Sequence, residues 1–229
     1  MLKQLEKNFL LRTLYFNKTE IEKLLLLSCM FSLTLCAIRI VYTGELLFLS
    51  LCWNLFLAFV PYAITKWLML NIAWIQNTIK FVAVFILWLL FIPNSFYIIT
   101  DLFHLQQNVG VPLWFDLALI LSFAWNGLLL GILSTRQMEK MVTVKFSGMK
   151  EWLFIYPIML LNAFGIYLGR YLRYNSWDVV SNPFQLLGDI FQLLIHPLRN
   201  TTDWSMIVCY AALLTLMYLM LKKISKSIW

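Results

Sequence analysis

LWFDLALILSFAWNGLLLGILST, running from Leu113 to Thr135, contains a single charged residue, Asp116. About 20 largely apolar residues in a helix cross about 30 Å of hydrocarbon. Lipid offers the backbone N–H and C=O groups no partners, so such a run satisfies them within itself as a helix. Immediately after it the chain turns basic, with Arg136, Lys140 and Lys145. Five other segments share this character, at roughly 23–43, 46–67, 79–100, 152–172 and 204–222. The fold class they predict is all-α: a polytopic transmembrane bundle of about six helices. Between the last two segments, Gln185, Gly188, Asp189, Gln192 and His196 recur at helical spacing among Leu, Ile and Phe. That stretch, 184–196, is too short to span and reads either as an interfacial helix or as a lid packed on the bundle.

Composition agrees. Of 229 residues, 62% are hydrophobic and 13% charged, against roughly 45–50% and about 25% in soluble domains. The remaining polar residues are too few to cover a water-soluble surface. The net charge of +7 reads as basic loops flanking the spans rather than as a nucleic-acid surface, because the positive residues cluster by loop. Only Arg39, Arg170, Arg173 and Arg199 fall on one side of the six spans, and the other fourteen of the 18 Lys and Arg fall on the opposite side. The positive-inside rule makes the second side cytoplasmic, so both termini are expected there in a multi-pass cell-membrane protein. The organisation is a basic segment at 1–22, the transmembrane domain at 23–222 and a short tail at 223–229. No cleavable leader is evident in the first residues.

Local signals add detail. Thr19-Glu20-Ile21-Glu22 fits a capping box that starts the first helix. Pro61, Pro93 and Pro157 fall inside spans and are expected to bend them. Cys29, Cys36, Cys52 and Cys209 lack CxxC spacing or a neighbouring His and read as packing residues. Gly127/Gly131 and Gly165/Gly169 are GxxxG pairs, which let helices approach closely in lipid and offer faces to a membrane-protein partner. Asn54, Asn126 and Asn162 lie near mid-membrane by residue count and read as interhelical hydrogen-bond glue, with no carboxylate expected at their depth.

Polar residues that survive in apolar helices are where function is sought. The third span ends Pro93-Asn94-Ser-Phe-Tyr97-Ile-Ile-Thr-Asp101-Leu-Phe-His104. A continuing helix would put Asn94, Tyr97, Asp101 and His104 on one face. The fourth span opens on Asp116, the fifth ends Arg170-Tyr-Leu-Arg173 and continues to Asp178, and Arg39 lies near the end of the first. All of these fall on the less basic, outward side. Two readings compete. In one, Asp101 and Asp116 pair with Arg170 and Arg173 and fix helix order. In the other, Arg39, Asn94, Tyr97, Arg170, Arg173 and Asp178 line a site for an anionic lipid or small molecule, with Asp101, His104 or Asp116 moving protons. Asp101, His104 and Asp116 make only a weak metal-ligand pattern, so no metal is assigned and no cofactor is named. HExxH, GxSxG and Walker A motifs are absent, so no zinc peptidase, serine hydrolase or internal ATPase is indicated.

These same motifs, Leu90–His104, Trp114–Asp116, Ser122–Gly127 and Gly165–Asp178, resemble the bacterial integral membrane family catalogued as domain of unknown function 1361. The resemblance runs from about Leu46 to the C-terminus. It implies a multi-pass membrane protein and carries no assigned activity. Three functional expectations follow from the residues: an outward polar site for an anionic or amphiphilic ligand (lipid, envelope precursor or transported solute), an enzyme acting on a lipid-linked phosphate, or a non-catalytic partner subunit. Whether the chain is an enzyme is left open.

Overall fold

The computed structural model describes residues 19–46, 48–105, 110–146, 149–175 and 178–227. It is helical throughout, with α1 (Thr19–Thr43), α2 (Leu49–Leu70), α3 (Ile72–Gln76), α4 (Thr78–Tyr97), a 3-10 segment (Ile98–His104), α5 (Leu113–Lys145), α6 (Glu151–Arg170), α7 (Asp178–Ser181), α8 (Pro183–Ile195) and α9 (Thr201–Ser227). Among the described residues, six of these are long and apolar enough to cross a membrane: α1, α2, α4 with its 3-10 extension, α5, α6 and α9. The chain is therefore membrane-embedded and multi-pass by length and composition.

α5 is the axis. It touches α1, α2, α4, the 3-10 segment and α6, and its most apolar stretch is 61% buried, against 22% for α1 and for α9. It is also longer than its apolar run, continuing past Thr135 because Gln137, Met138, Glu139, Met141 and Val142 are buried against neighbouring helices. At 33 residues it extends about 50 Å, beyond the hydrocarbon thickness. Its two ends define the molecule. One carries Arg39, Asp101, Asp116 and Arg170 (the arginine end), and the other carries Lys66, Glu139, Lys145 and Lys222 (the lysine end).

α4 passes between α5 and α6 through two glycine notches. A Cβ on Gly127 would lie 2.8 Å from Ser95 O, and one on Gly131 2.9 Å from Phe96 Cζ. On the other side, a Cβ on Gly165 would lie 2.6 Å from Pro93 Cβ, and one on Gly169 3.1 Å from the Tyr97 ring. Both GxxxG pairs thus clasp the same stretch, Pro93–Ile98, at the end of α4 and the start of the 3-10 segment. Here the glycines face another helix of the same chain, where close backbone approach gains the dispersion contacts that substitute for a hydrophobic drive in lipid.

Helices continue through Pro61, Pro93 and Pro157, and serines cover the loosened turn at Pro61. Pro61 removes one N–H from α2, and next to it Ser95 Oγ donates to Ala58 O (2.9 Å) while Ser134 Oγ donates to Pro61 O (2.9 Å). Trp88, fully buried, donates from Nε1 to Ser134 Oγ (2.8 Å). Beyond Pro93, α4 tightens into the 3-10 segment, so the continuous α-helix expected through Asn94, Tyr97, Asp101 and His104 gives way after Tyr97. A 3-10 turn advances by three residues rather than 3.6, which keeps Asp101 in register with Ile98.

One boundary expectation also changes. Gly44, at φ +72, ends α1 in a conformation that side chains disfavour, its N–H on Ile40 O (2.8 Å). α2 then begins only at Leu49, three residues later than read from the sequence. Glu22, in the first turn of α1, ties that helix to α2: its carboxylate accepts from Tyr62 Oη (3.2 Å) and from Lys66 Nζ. α8 matches the expected short helix. It docks through Leu193 beside Ala163, Tyr167 and Ile207, with Trp204 Nε1 donating to Leu193 O (3.1 Å), while Phe184, Leu187, Phe191 and Leu194 point away.

Candidate functional site

At the arginine end, charge is divided between two pairs of different character. Arg39 on α1 donates from Nε to Asp116 Oδ1 (2.9 Å) and from a terminal nitrogen to Oδ2 (3.5 Å). The guanidinium also lies 5.3 Å from the Phe48 ring centre. These side chains are 2% and 4% exposed, so the pair is sealed. Asp116 sits in the first turn of α5, where the helix dipole favours a carboxylate.

The second pair is loose. Asp101 Oδ2 accepts from Asn54 Nδ2 at 2.9 Å, whereas a terminal nitrogen of Arg170 is 3.6 Å from Oδ1, beyond hydrogen-bond distance. Arg170 is 16% exposed and stacks 5.3 Å from the ring of Phe103, itself exposed. The carboxylate is anchored by an amide, and its arginine reaches toward the surface.

The pairing expected from sequence is corrected here: Asp116 is taken by Arg39, not by Arg170 or Arg173. Asn54, expected near mid-membrane without a carboxylate, instead lies near the helix end because α2 starts late, and it donates to Asp101. Asn126 behaves as interhelical glue, donating to Ser32 Oγ of α1 at 2.8 Å, while Asn162 bonds only its own helix at Ile158 O (2.9 Å). Asn94 likewise donates to Phe91 O (3.0 Å), and Tyr97 packs on Gly169. The side chain of His104 lies outside the described residues. Among the described residues no group of three metal-ligating side chains gathers.

Beyond α6 the chain turns on Arg173, the one described non-glycine residue with positive φ, at 59°. Tyr174 N–H reaches back to Leu168 O (3.0 Å), and Tyr174 Oη donates to Asp189 (2.6 Å), which tethers the turn to α8. That bond pushes the Tyr174 hydroxyl up to about 12. Arg173 is exposed. A left-handed conformation costs an L-residue about 1–2 kcal/mol, so the turn presents arginine where glycine is the easy choice. Asp178 is not part of this cluster. It accepts from Asn175 N–H (2.6 Å) and Ser181 Oγ (2.9 Å). The Asn175 N–H, then the Ser181 hydroxyl, hold its carboxyl below the ordinary 3.8. A depressed carboxyl stabilises its turn above the ordinary value and loses that effect as pH falls through the shifted one. The amides of Asn175 and of residues 178 to 181 are therefore expected to exchange faster with solvent below about pH 4, measured by hydrogen exchange against the α5 amides as reference.

Sequence reading missed the opposite end. Glu139, 4% exposed, accepts from Tyr218 Oη and from Lys222 Nζ (2.6 Å), and Lys222 also reaches Glu151 (2.7 Å). Asp116 and Glu139 are both on α5 and so about 35 Å apart. The available signals were Glu139 standing alone among Arg136, Lys140 and Lys145, and Tyr218 and Lys222 spaced i, i+4 on the last helix. An excess of positive charge hid them.

No curated protein and no solved structure matches the chain. A family model does match, over residues 53–217, which takes in α4, the 3-10 segment, α5, α6, both glycine notches and the Asp101–Arg170 pair. The chain belongs to the family described as Protein of unknown function (DUF1361).

Proposed function

We propose that the arginine end faces out of the cell membrane, with both termini cytoplasmic, and binds the phosphate head of an anionic amphiphile on Arg170 and Arg173. The observation that carries this reading is the contrast between the two pairs. Arg39 is sealed on Asp116, whereas Arg170 stands off Asp101, partly exposed, over an exposed aromatic ring. Because Asn54 already holds Asp101, Arg170 can turn its donors to a phosphate without stranding the carboxylate. A planar guanidinium gives such a head group two parallel hydrogen bonds. The apolar outer face of α8 and the ring of Phe103 suit an adjoining hydrocarbon tail. Binding is favoured over acid–base catalysis because both candidate carboxylates are engaged, Asp116 by a cation and Asp101 by an amide.

The test uses farnesyl phosphate and farnesol as probes on the purified protein in detergent, read by thermal shift. Farnesyl phosphate is expected to raise the unfolding midpoint and farnesol is not. Arg170→Gln should weaken the phosphate response about tenfold or more, as expected for losing a charge-assisted contact of about 1.5–3 kcal/mol, with the ligand-free midpoint little changed. Equal responses to phosphate and alcohol, or an undiminished response in Arg170→Gln, would overturn the reading.

A further inference from the structure

We propose a second site, at the lysine end: an apolar groove between α4, the end of α5 and α6 that takes an acyl chain of an anionic phospholipid, its phosphate held by Lys80, Lys145 and Lys150. The groove encloses about 410 Å³ and is walled by Phe81, Phe85, Leu89, Phe146, Phe154 and Leu161, among others. From Phe81 to Leu89 it follows α4 for about 12 Å, running from the lysine end toward mid-membrane. Pro157 lines it, at a point where its ring removes one N–H from the α6 ladder.

Charge at the mouth selects the occupant. Lys145 Nζ lies 5.4 Å and 5.9 Å from the centres of the Phe81 and Phe146 rings, which are groove walls. It donates to Ile75 O (2.8 Å) and Gln76 O (3.1 Å), the last carbonyls of α3. An ammonium has three N–H donors, so one remains for a phosphate oxygen. Lys80, beside Phe81, is exposed over Trp74, and Lys150, beside Met149, is exposed at the start of α6. Among the described residues none of these three has a carboxylate partner, whereas Lys66 is paired with Glu22 and Lys222 with Glu139 and Glu151. Three uncompensated cations over a one-chain apolar slot match an anionic lipid and give a zwitterionic one no net advantage.

The experiment is native mass spectrometry of the full-length protein in detergent, titrated with palmitoyl-oleoyl phosphatidylglycerol or the corresponding phosphatidylcholine. One retained phosphatidylglycerol is expected at concentrations where phosphatidylcholine is not retained. Lys80→Gln with Lys150→Gln changes two exposed side chains outside any ion pair, so folding is unaffected, and should weaken retention roughly 25-fold, at about fivefold per lysine. Val82→Trp, which fills the groove and leaves the lysines alone, should also abolish it. Arg170→Gln should leave it intact, which separates this site from the one at the arginine end. Equal retention of the two lipids, or retention indifferent to both the lysine and the groove variants, would overturn the proposal. So would a dimer that Val82→Trp disperses without any lipid adduct, since a second copy would then occupy the groove.

Discussion

Arg39→Leu is expected to lower stability by about 3–5 kcal/mol, the loss typical of removing one partner of a buried ion pair. The change strands Asp116, which is 4% exposed and whose carboxylate is held by Arg39. A carboxylate left without a cation in that setting must take up a proton or draw water into the bundle. The complementary prediction is as important: Arg39→Met combined with Asp116→Leu should recover most of the loss, because exchanging a buried pair for apolar groups of similar volume is often neutral or better. Reversible unfolding in mixed micelles measures both. Recovery by the double change would show that the pair fixes how α1 docks on α5 and has no further task. Arg39→Leu alone being harmless would mean that Asp116 has support beyond its arginine.

The glycine notches give the second large effect, and they predict an order. Gly127→Ala drives a methyl group to 2.8 Å from a backbone oxygen, Ser95 O, and Gly165→Ala drives one to 2.6 Å from the Pro93 ring. Neither neighbour can rotate away. Each change is expected to cost about 1–3 kcal/mol or more by overpacking, and Gly127→Leu or Gly165→Leu should abolish folding. Gly169→Ala presses on the Tyr97 ring, at 3.1 Å, which can tilt, and meets Tyr174 O at an ordinary 3.6 Å, so its cost should be the smallest. Unfolding midpoints of Gly127→Ala, Gly165→Ala and Gly169→Ala measure the order directly. A Gly169→Ala variant as unstable as Gly165→Ala would contradict the packing of α4 between α5 and α6.

Most of the bundle was legible from apolar run length alone, because lipid leaves each run one backbone solution. The helix ends were less so. Where α5 stops is decided by tertiary burial of Gln137, Glu139 and Met141, which hydropathy registers as polarity. The gathering of polar side chains at the arginine end was legible too, since hydrophobic pressure removes such residues unless something holds them. Their pairing was not. Arg39 and Asp116 are 77 positions apart, and Asn54 and Asp101 are 47 apart, and nothing local links them. The 3-10 turn after Tyr97 replaced a continuing α-helix, an outcome that a 3.6-residue period cannot register. Glu139 escaped notice for the opposite reason: one acid among many bases reads as a loop residue, although its partners, Tyr218 and Lys222, come from the other end of the chain.

The central claim is that the two arginine–carboxylate pairs divide labour, with one holding the bundle together and the other meeting a ligand. Its most direct test is the unfolding midpoint of Arg39→Gln and Arg170→Gln, measured side by side with and without farnesyl phosphate. The account predicts a crossed result. Arg39→Gln should drop the ligand-free midpoint sharply and keep the rise on adding ligand, while Arg170→Gln should keep the midpoint and lose the rise. Both variants falling equally in stability, with the ligand response intact in each, would contradict it and leave both pairs as structural ties.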